Sequence, residues 1–245
     1  MNIKKAGRFL PVLFLFAGFA INVSAQSPDY SDIFGSDWQK ANSWLHENDS
    51  WLRPALEKHN IPYPEAIAVV FPELVRYSAL SDKMETAVLK SLYCNLGREY
   101  ANFSIGVFQI KPSFAEYIRN ESPAHGRKKL FEKISSYPSD YFFRKSIVDG
   151  LEDPGMELNY VIAFLRICEK RFSGKWNDEI TRIRFLSTAY NTGFWKSEDE
   201  IKAMEDKKFF NTKLFKTENY SYADVALFWY NQYIQNTENQ LINPQ

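Results

Sequence analysis

The sequence predicts a mainly α fold, and three observations carry that reading. Apolar residues recur at helical spacing in segment after segment, as in Ile67, Val70, Phe71 and Leu74 at i, i+3, i+4 and i+7. A strand-like pattern is confined to the stretch from Phe103 to Ile110. Helix punctuation falls where the periodic segments begin and stop: Pro64 at a start, and Gly97, Ser173-Gly174 and Asn191-Thr192-Gly193 at ends.

The elements follow in chain order. Residues 26–37 are polar and read as a loose start. Trp38 to His59 reads as helix, with Trp44, Leu45, Leu52 and Leu56 inward and a break near Asn48-Asp49-Ser50. Pro64 opens the next helix. The ring of Pro72 clashes with the turn before it, which predicts an end or kink near Phe71. Glu73 is then expected at a helix end, projecting into a cleft. Lys83 to Leu96 forms another helix, closed by Gly97. A short strand or hairpin around Gly106 follows, and Pro112 opens a helix carrying Phe114, Tyr117 and Ile118. Residues 120–154, broken by prolines and glycines, read as irregular with one or two short helices. Met156 to Phe172 is the strongest helix, with Val161, Leu165, Cys168 and Phe172 on one face. Thr181 to Tyr190 is helical, residues 196–219 are charged and expected exposed, and Tyr222 to Ile234 closes the chain as an aromatic-rich helix. The expectation is about eight helices and at most one small β-hairpin.

Composition narrows the function classes. The chain has 245 residues, enough for one domain with a sizeable core, and its 16 % aromatic content excludes disorder as the main state. Residues 1–25 have the parts of a secretory signal: basic Lys4, Lys5 and Arg8, an apolar run from Phe9 to Ile21, and small residues at Val23-Ser24-Ala25. That run is shorter than the ~20 residues that span a bilayer, so cleavage is expected rather than stable membrane insertion. Residues 26–245 are expected as a single exported domain, periplasmic or extracellular. Without Lys4, Lys5 and Arg8, 27 of the 30 basic residues face 30 acidic ones, a net charge of −3. No basic field is left for nucleic acid. Cys94 and Cys168 suit one bridge or two buried thiols equally. His46, His59 and His125 have no ligand spacing, and there is no Gly-rich phosphate loop, so neither metal nor cofactor is expected.

Three segments could carry chemistry. Glu73 follows an apolar helix, where lost solvation would raise its pKa and fit it to donate a proton to a poor leaving group. Ser104, Gly106 and Gln109 lie in Phe103-Ser104-Ile105-Gly106-Val107-Phe108-Gln109-Ile110. There a glycine allows close approach to a ligand, and a hydroxyl and an amide can hold polar groups. Tyr190 and Asn191 lie in Ala189-Tyr190-Asn191-Thr192-Gly193, with an amide suited to an acetamido group. Each segment alone reads more readily as ordinary structure: a solvated helix end, a strand with a glycine bulge, a helix stop.

In combination they resemble the soluble lytic transglycosylase family. The likeness runs over about residues 60–195: Glu73, then Gly106-Val107-Phe108-Gln109 where the family usually has Gly-Leu-Met-Gln, then Asn159 through Phe172, then Ala189-Tyr190-Asn191-Thr192-Gly193. The sequence departs from the family pattern in two places. Leu74 stands where the family has a serine after its acid, and residues 76–102 form an insertion that adds a helix. Glu99, five residues before Ser104, is a rival acid, but it lies in a polar stretch. The resemblance implies a lysozyme-like catalytic domain with an inserted helix and a C-terminal aromatic helix. It implies peptidoglycan glycan strands as substrate, cut at the β-1,4 bond between N-acetylmuramic acid and N-acetylglucosamine to give 1,6-anhydro products. Glu73 would act as acid and then base. Ser104, Gly106 and Gln109 would line the cleft, Tyr190 and Asn191 would position Glu73 and the acetamido group, and Tyr222 would support Glu73. Three alternatives stand beside this reading: a hydrolytic muramidase with a second carboxylate from Asp82, Glu85 or Glu99, an inactive glycan-binding protein on the same scaffold, and an accessory protein that docks a partner through its aromatic last helix.

Overall fold

A computed structural model describes residues 28–79, 84–121, 130–131, 136–212 and 218–242. The proposed signal, residues 1–25, lies outside them. In chain order the elements are α1 (Tyr30–Phe34), α2 (Ser36–Glu57), α3 (Tyr63–Ala79), α4 (Met84–Leu96), α5 (Pro112–Glu121), α6 (Asp140–Glu152), α7 (Pro154–Phe172), α8 (Glu179–Thr192), α9 (Glu198–Lys202), β1 (Lys208–Phe210), β2 (Tyr220–Ser221) and α10 (Tyr222–Ile242). The mainly α class is therefore observed.

Helix α3 is the axis of the molecule. Its residues from Glu65 to Val75 are all buried, and it packs against α2, α7, α8 and α10. A stretch apolar on every side, here Ala66 to Pro72, belongs in a core. Phe71 is fully buried at the centre, 4.6 Å from the ring of Trp38 on α2 and 5.1 Å from that of Trp229 on α10. A second group, α4, α5 and α7, packs about α6. The chain from Gly97 to Lys111 joins α4 to α5, and its Ser104, Gln109 and Lys111 line one space with Glu73 and Arg76 of α3.

Several elements differ from expectation, each for a physical reason. Helix α3 runs straight through Pro72 to Ala79, so Glu73 lies inside a helix and not at its end. An interior proline costs ~3 kcal/mol, but burial of the surrounding turns outweighs that cost. The hydroxyl of Tyr222 donates to the Val69 carbonyl at 3.2 Å, in the turn that Pro72 disturbs. Helix α2 is continuous through Asn48-Asp49-Ser50. Asn48 donates back to the Trp44 carbonyl at 2.8 Å and accepts from the Trp51 indole, and Asp49 pairs with Arg53. The expected loose start contains α1, whose Tyr30 and Phe34 are buried against Tyr220 and Phe228.

Residues 140–152 form one regular helix of 13 residues within the stretch where one or two short helices were expected. The segment 196–219 contributes α9 and β1, with Ile201 and Phe210 in the core. The sheet is β1–β2 and not the stretch around Gly106, where a single bridge joins Ile105 to Ile110. Helix α10 extends eight residues past Ile234. Cys94 and Cys168 are both buried free thiols, which decides between the two readings of the sequence. Among the described residues no helix is long and apolar enough to cross a membrane.

Phe71 ties three helices together, so Phe71→Ala should cost ~3–5 kcal/mol by leaving a large cavity. Urea denaturation with an unchanged slope and a lowered midpoint would register that loss.

Candidate active site

Residues distant in sequence meet in one cleft of about 190 Å³. Helix α3 supplies Glu73, the chain after α4 supplies Ser104 and Gln109, and the end of α8 supplies Tyr190 and Asn191. Five of the seven site residues expected from sequence therefore line the same space. Gly106 lines the adjoining groove instead. Tyr222 is buried close enough to Glu73 that the two charges would interact, but it does not line the cleft. The rival acid Glu99 is on the surface, its side chain 84 % exposed beside Arg98, and it does not line the cleft. Of the candidate second carboxylates, Asp82 and the side chain of Glu85 lie outside the described residues.

Glu73 is 4 % exposed. One turn along the same face, Arg76 places Nη1 2.9 Å and 2.8 Å from the two carboxylate oxygens. Burial pushes the Glu73 pKa above the ordinary carboxylate value, and the cations of Arg76 and Lys111 oppose that push without cancelling it. Arg76 is itself steered by Phe210 of β1, whose ring centroid lies 4.7 Å from the guanidinium carbon.

The turn from Gly106 to Gln109 is held from below by Glu157. This residue is fully buried on the first turn of α7, and its two oxygens accept from the backbone N–H groups of Val107 and Phe108, both at 2.9 Å. Ile105 and Ile110 exchange reciprocal backbone bonds of 3.0 Å across the base of the turn. Gly106 has φ +75°, and a Cβ there would meet the Leu151 carbonyl oxygen at 2.3 Å and Glu157 Oε2 at 2.4 Å. Only glycine fits. Gln109 has φ +53°, uncommon for a side-chain-bearing residue, and its amide donates to the Gly106 carbonyl at 2.8 Å. The Tyr190 hydroxyl donates to the Phe108 carbonyl at 2.9 Å, while its ring packs on Phe114 and Phe164. This corrects the expected role: Tyr190 pins the turn, and its hydroxyl does not bond the acid. In the same way the Tyr222 hydroxyl bonds backbone and not Glu73.

What remains free to meet a ligand is polar and neutral apart from Glu73 and its cations. Asn191 is exposed at the end of α8, and no protein hydrogen bond engages its amide among the described residues. Trp195, stacked on Tyr117 with centroids 4.3 Å apart, lines the cleft beside Gly193. A larger groove of about 960 Å³ adjoins the cleft and shares Ser104 and Gln109 with it. Glu73 is the one carboxylate among the described residues that line the cleft itself.

Arg76, Lys111, Trp195 and Glu157 were missed from sequence. Arg76 is detectable as the i+3 neighbour of Glu73. Glu157 stands four residues before Val161, in line with the apolar stripe of α7, and an acid in such a stripe signals a buried, bonded carboxylate. The Asn159 that seemed to match the family pattern instead lies half-buried against Met156, away from the cleft.

No family model, no curated protein and no solved structure matches the chain.

Burial raises the Glu157 pKa well above the ordinary value, outweighing the backbone bonds that favour the charged form. Folding therefore favours the protonated acid, and its contribution to stability is lost as pH rises through the raised pKa. In Glu157→Gln the amide nitrogen cannot accept, so one backbone N–H loses its partner at ~1–3 kcal/mol. The variant should be less stable than wild type near pH 4.5, with the deficit shrinking as pH rises. Thermal melts of both proteins across pH measure this, and a deficit that grows with pH would contradict the assignment.

Proposed function

We propose that the chain is a peptidoglycan-cleaving lytic transglycosylase on a lysozyme-like scaffold, exported from the cell, with Glu73 as acid and then base. The observation that carries this reading is the convergence of Glu73, Ser104, Gln109, Tyr190 and Asn191, from three distant parts of the chain, on one cleft. A buried carboxyl with a raised pKa suits proton donation. The adjoining groove, continuous through Ser104 and Gln109, gives room for a polymer. A single carboxylate in the cleft suits a reaction that needs no separate base for water.

In this scheme protonated Glu73 donates to the glycosidic oxygen as the bond from that oxygen to C1 breaks. The substrate's own N-acetyl group meets the positive charge that develops at C1. The Glu73 carboxylate then takes the proton from the C6 hydroxyl of the same sugar. That oxygen closes on C1, giving a 1,6-anhydro end and restoring the acid. Asn191 holds the acetamido group, Ser104 and Gln109 hold sugar polar groups, and Trp195 offers an aromatic face to a ring.

Arg76 is the obstacle in the scheme, because a guanidinium on both oxygens favours the ionised acid. Glu73 takes up its proton when substrate gives Arg76 another polar partner. The same ion pair favours a second reading, a glycan-binding protein whose acid is held ionised and inactive.

Mass spectrometry of peptidoglycan incubated with the protein tests both. Anhydro-muropeptides are expected from wild type, reduced ~10²–10⁴-fold in Glu73→Gln. Reducing-end products would mean a hydrolase, and retention on the polymer without cleavage would mean the binding protein.

Removing the Arg76 cation raises the Glu73 pKa further, so the protonated form persists to higher pH. In Arg76→Met the alkaline limb of the pH–rate profile should move to higher pH, and an unmoved limb would remove Glu73 as the group that titrates.

A further inference from the structure

A second cavity, of about 350 Å³, lies between α2 and the C-terminal half of α10, with Tyr63 at the start of α3. It shares no lining residue with the Glu73 cleft. The helical rise puts Tyr63 about 15 Å from Glu73 along α3. The two spaces are separate sites on one rigid helix.

Helix α10 presents two parallel rows to this cavity. Trp229, Tyr233 and Thr237 follow at i, i+4 and i+8, and so do Gln232, Asn236 and Gln240. Residues at that spacing stand one above the other on a helix face. The first row is largely aromatic: Trp229 and Tyr233 stack at 5.2 Å, and the ring of Tyr63 stands 5.9 Å from that of Tyr233. The second row is a ladder of amides, each with a donor and an acceptor. Among the described residues no protein hydrogen bond engages the side chains of Gln232, Asn236 or Gln240.

The facing wall belongs to α2. Its Asp49 and Arg53 are bonded to each other at 2.8 Å and 3.2 Å, and the Arg53 guanidinium lies 4.1 Å over the Tyr63 ring. Asn42 accepts from the Trp229 indole at 3.0 Å. Along α10 from Val225 to Ile242 the one charged residue is Glu238, and it does not line the cavity.

The chemistry of these walls selects a ligand class. A phosphate or free carboxylate needs an uncommitted strong cation; the one guanidinium in the lining, Arg53, is committed to Asp49 and Tyr233, and the one other basic side chain there is the single imidazole of His46. An apolar ligand would strip water from the amide row and leave it without partners. A ring with C–H faces and several neutral hydroxyl or acetamido groups satisfies both rows, its faces on the aromatic side chains and its polar groups on the amides. We propose that the α2–α10 cavity is a second carbohydrate site, taking a neutral saccharide independently of the Glu73 cleft. It stands on the geometry of α2 and α10 and does not require that Glu73 catalyse anything.

The test titrates chitotetraose, cellotetraose and maltotetraose at millimolar concentration into the isotopically labelled Glu73→Gln protein, following side-chain amide resonances by NMR. At least one sugar should shift the amides of Gln232, Asn236 and Gln240. That response should survive Asn191→Ala, which disables the Glu73 cleft. It should weaken by roughly tenfold or more when Gln232→Ala and Asn236→Ala are combined, as expected for the loss of at least one good hydrogen bond. Thr237→Trp, which fills the cavity from an exposed position, should abolish it with the melting temperature unchanged. Shifts confined to the Asn191 region, shifts of the α10 amides lost with Asn191→Ala, or no α10 response to any of the three sugars would each overturn the proposal. Loss of anhydro products with the α10 response intact would instead count against the transglycosylase reading alone.

Discussion

The cleft depends on the contact between the Glu157 carboxyl group and the backbone N–H groups of Val107 and Phe108. A four-residue turn carrying a positive φ at both Gly106 and Gln109 is not a conformation that a chain holds by local preference. It is held because its inward N–H groups have an acceptor, its Phe108 carbonyl has a donor in Tyr190, and its ends are bridged through Ile105 and Ile110. Glu157 is carried on α7 and Tyr190 on α8, so the turn registers the packing of both helices. Ser104 and Gln109 inherit their positions from that registration. A polar group fixed in this way is ordered before any ligand arrives, which is what binding and catalysis both require.

The same logic explains why Glu73 can be buried. Its helix is covered on every side, and Pro72 within it would be a liability in an isolated segment. Packing against Trp38 and Trp229 keeps the helix intact, and the Tyr222 hydroxyl occupies a carbonyl in the disturbed turn. The result is an acid on a rigid element at the lip of a cleft. The competing forces on it are of opposite sign: withdrawal from water favours the neutral form, while Arg76 and Lys111 favour the charged one. Because Arg76 is only three residues away on the same helix, the larger part of that opposition is local, and Lys111 from the chain before α5 adds the smaller part.

Helix periodicity made most of this architecture legible. The apolar stripes of α3, α7 and α8 and the stops at Gly97 and Gly193 are local signals, and local signals survive folding when packing agrees with them. The errors fall where packing overrides local chemistry. Pro72 and Asn48-Asp49-Ser50 are breakers by propensity, but each lies in a helix whose neighbours hold it. The start of the chain looked loose because its polar residues outnumber Tyr30 and Phe34, yet those two aromatics anchor it. In the site, residue types were legible and roles were not. Tyr190 lines the same cleft as Glu73, but the sequence contains nothing to say that its hydroxyl faces a backbone carbonyl 82 positions away. Glu157 is marked in the sequence only by its place in the apolar stripe of α7, a weaker signal than a motif because nothing local names the backbone groups it will bind.

A site for polar ligands can be built with few charges. The cleft has one acid and two nearby cations, and the α2–α10 cavity has one self-neutralised pair. Most of what else faces a ligand in either place is amide, hydroxyl or aromatic, with the His46 imidazole on the α2 wall of the cavity. Such groups discriminate by geometry, since each amide fixes the direction of both a donor and an acceptor. They also leave the local field to be set by whatever charge is present. In the cleft, that means Glu73 feels Arg76 with little competition. A change in what Arg76 touches therefore passes directly into the protonation of Glu73, and the neutrality of the surrounding groups makes that coupling strong.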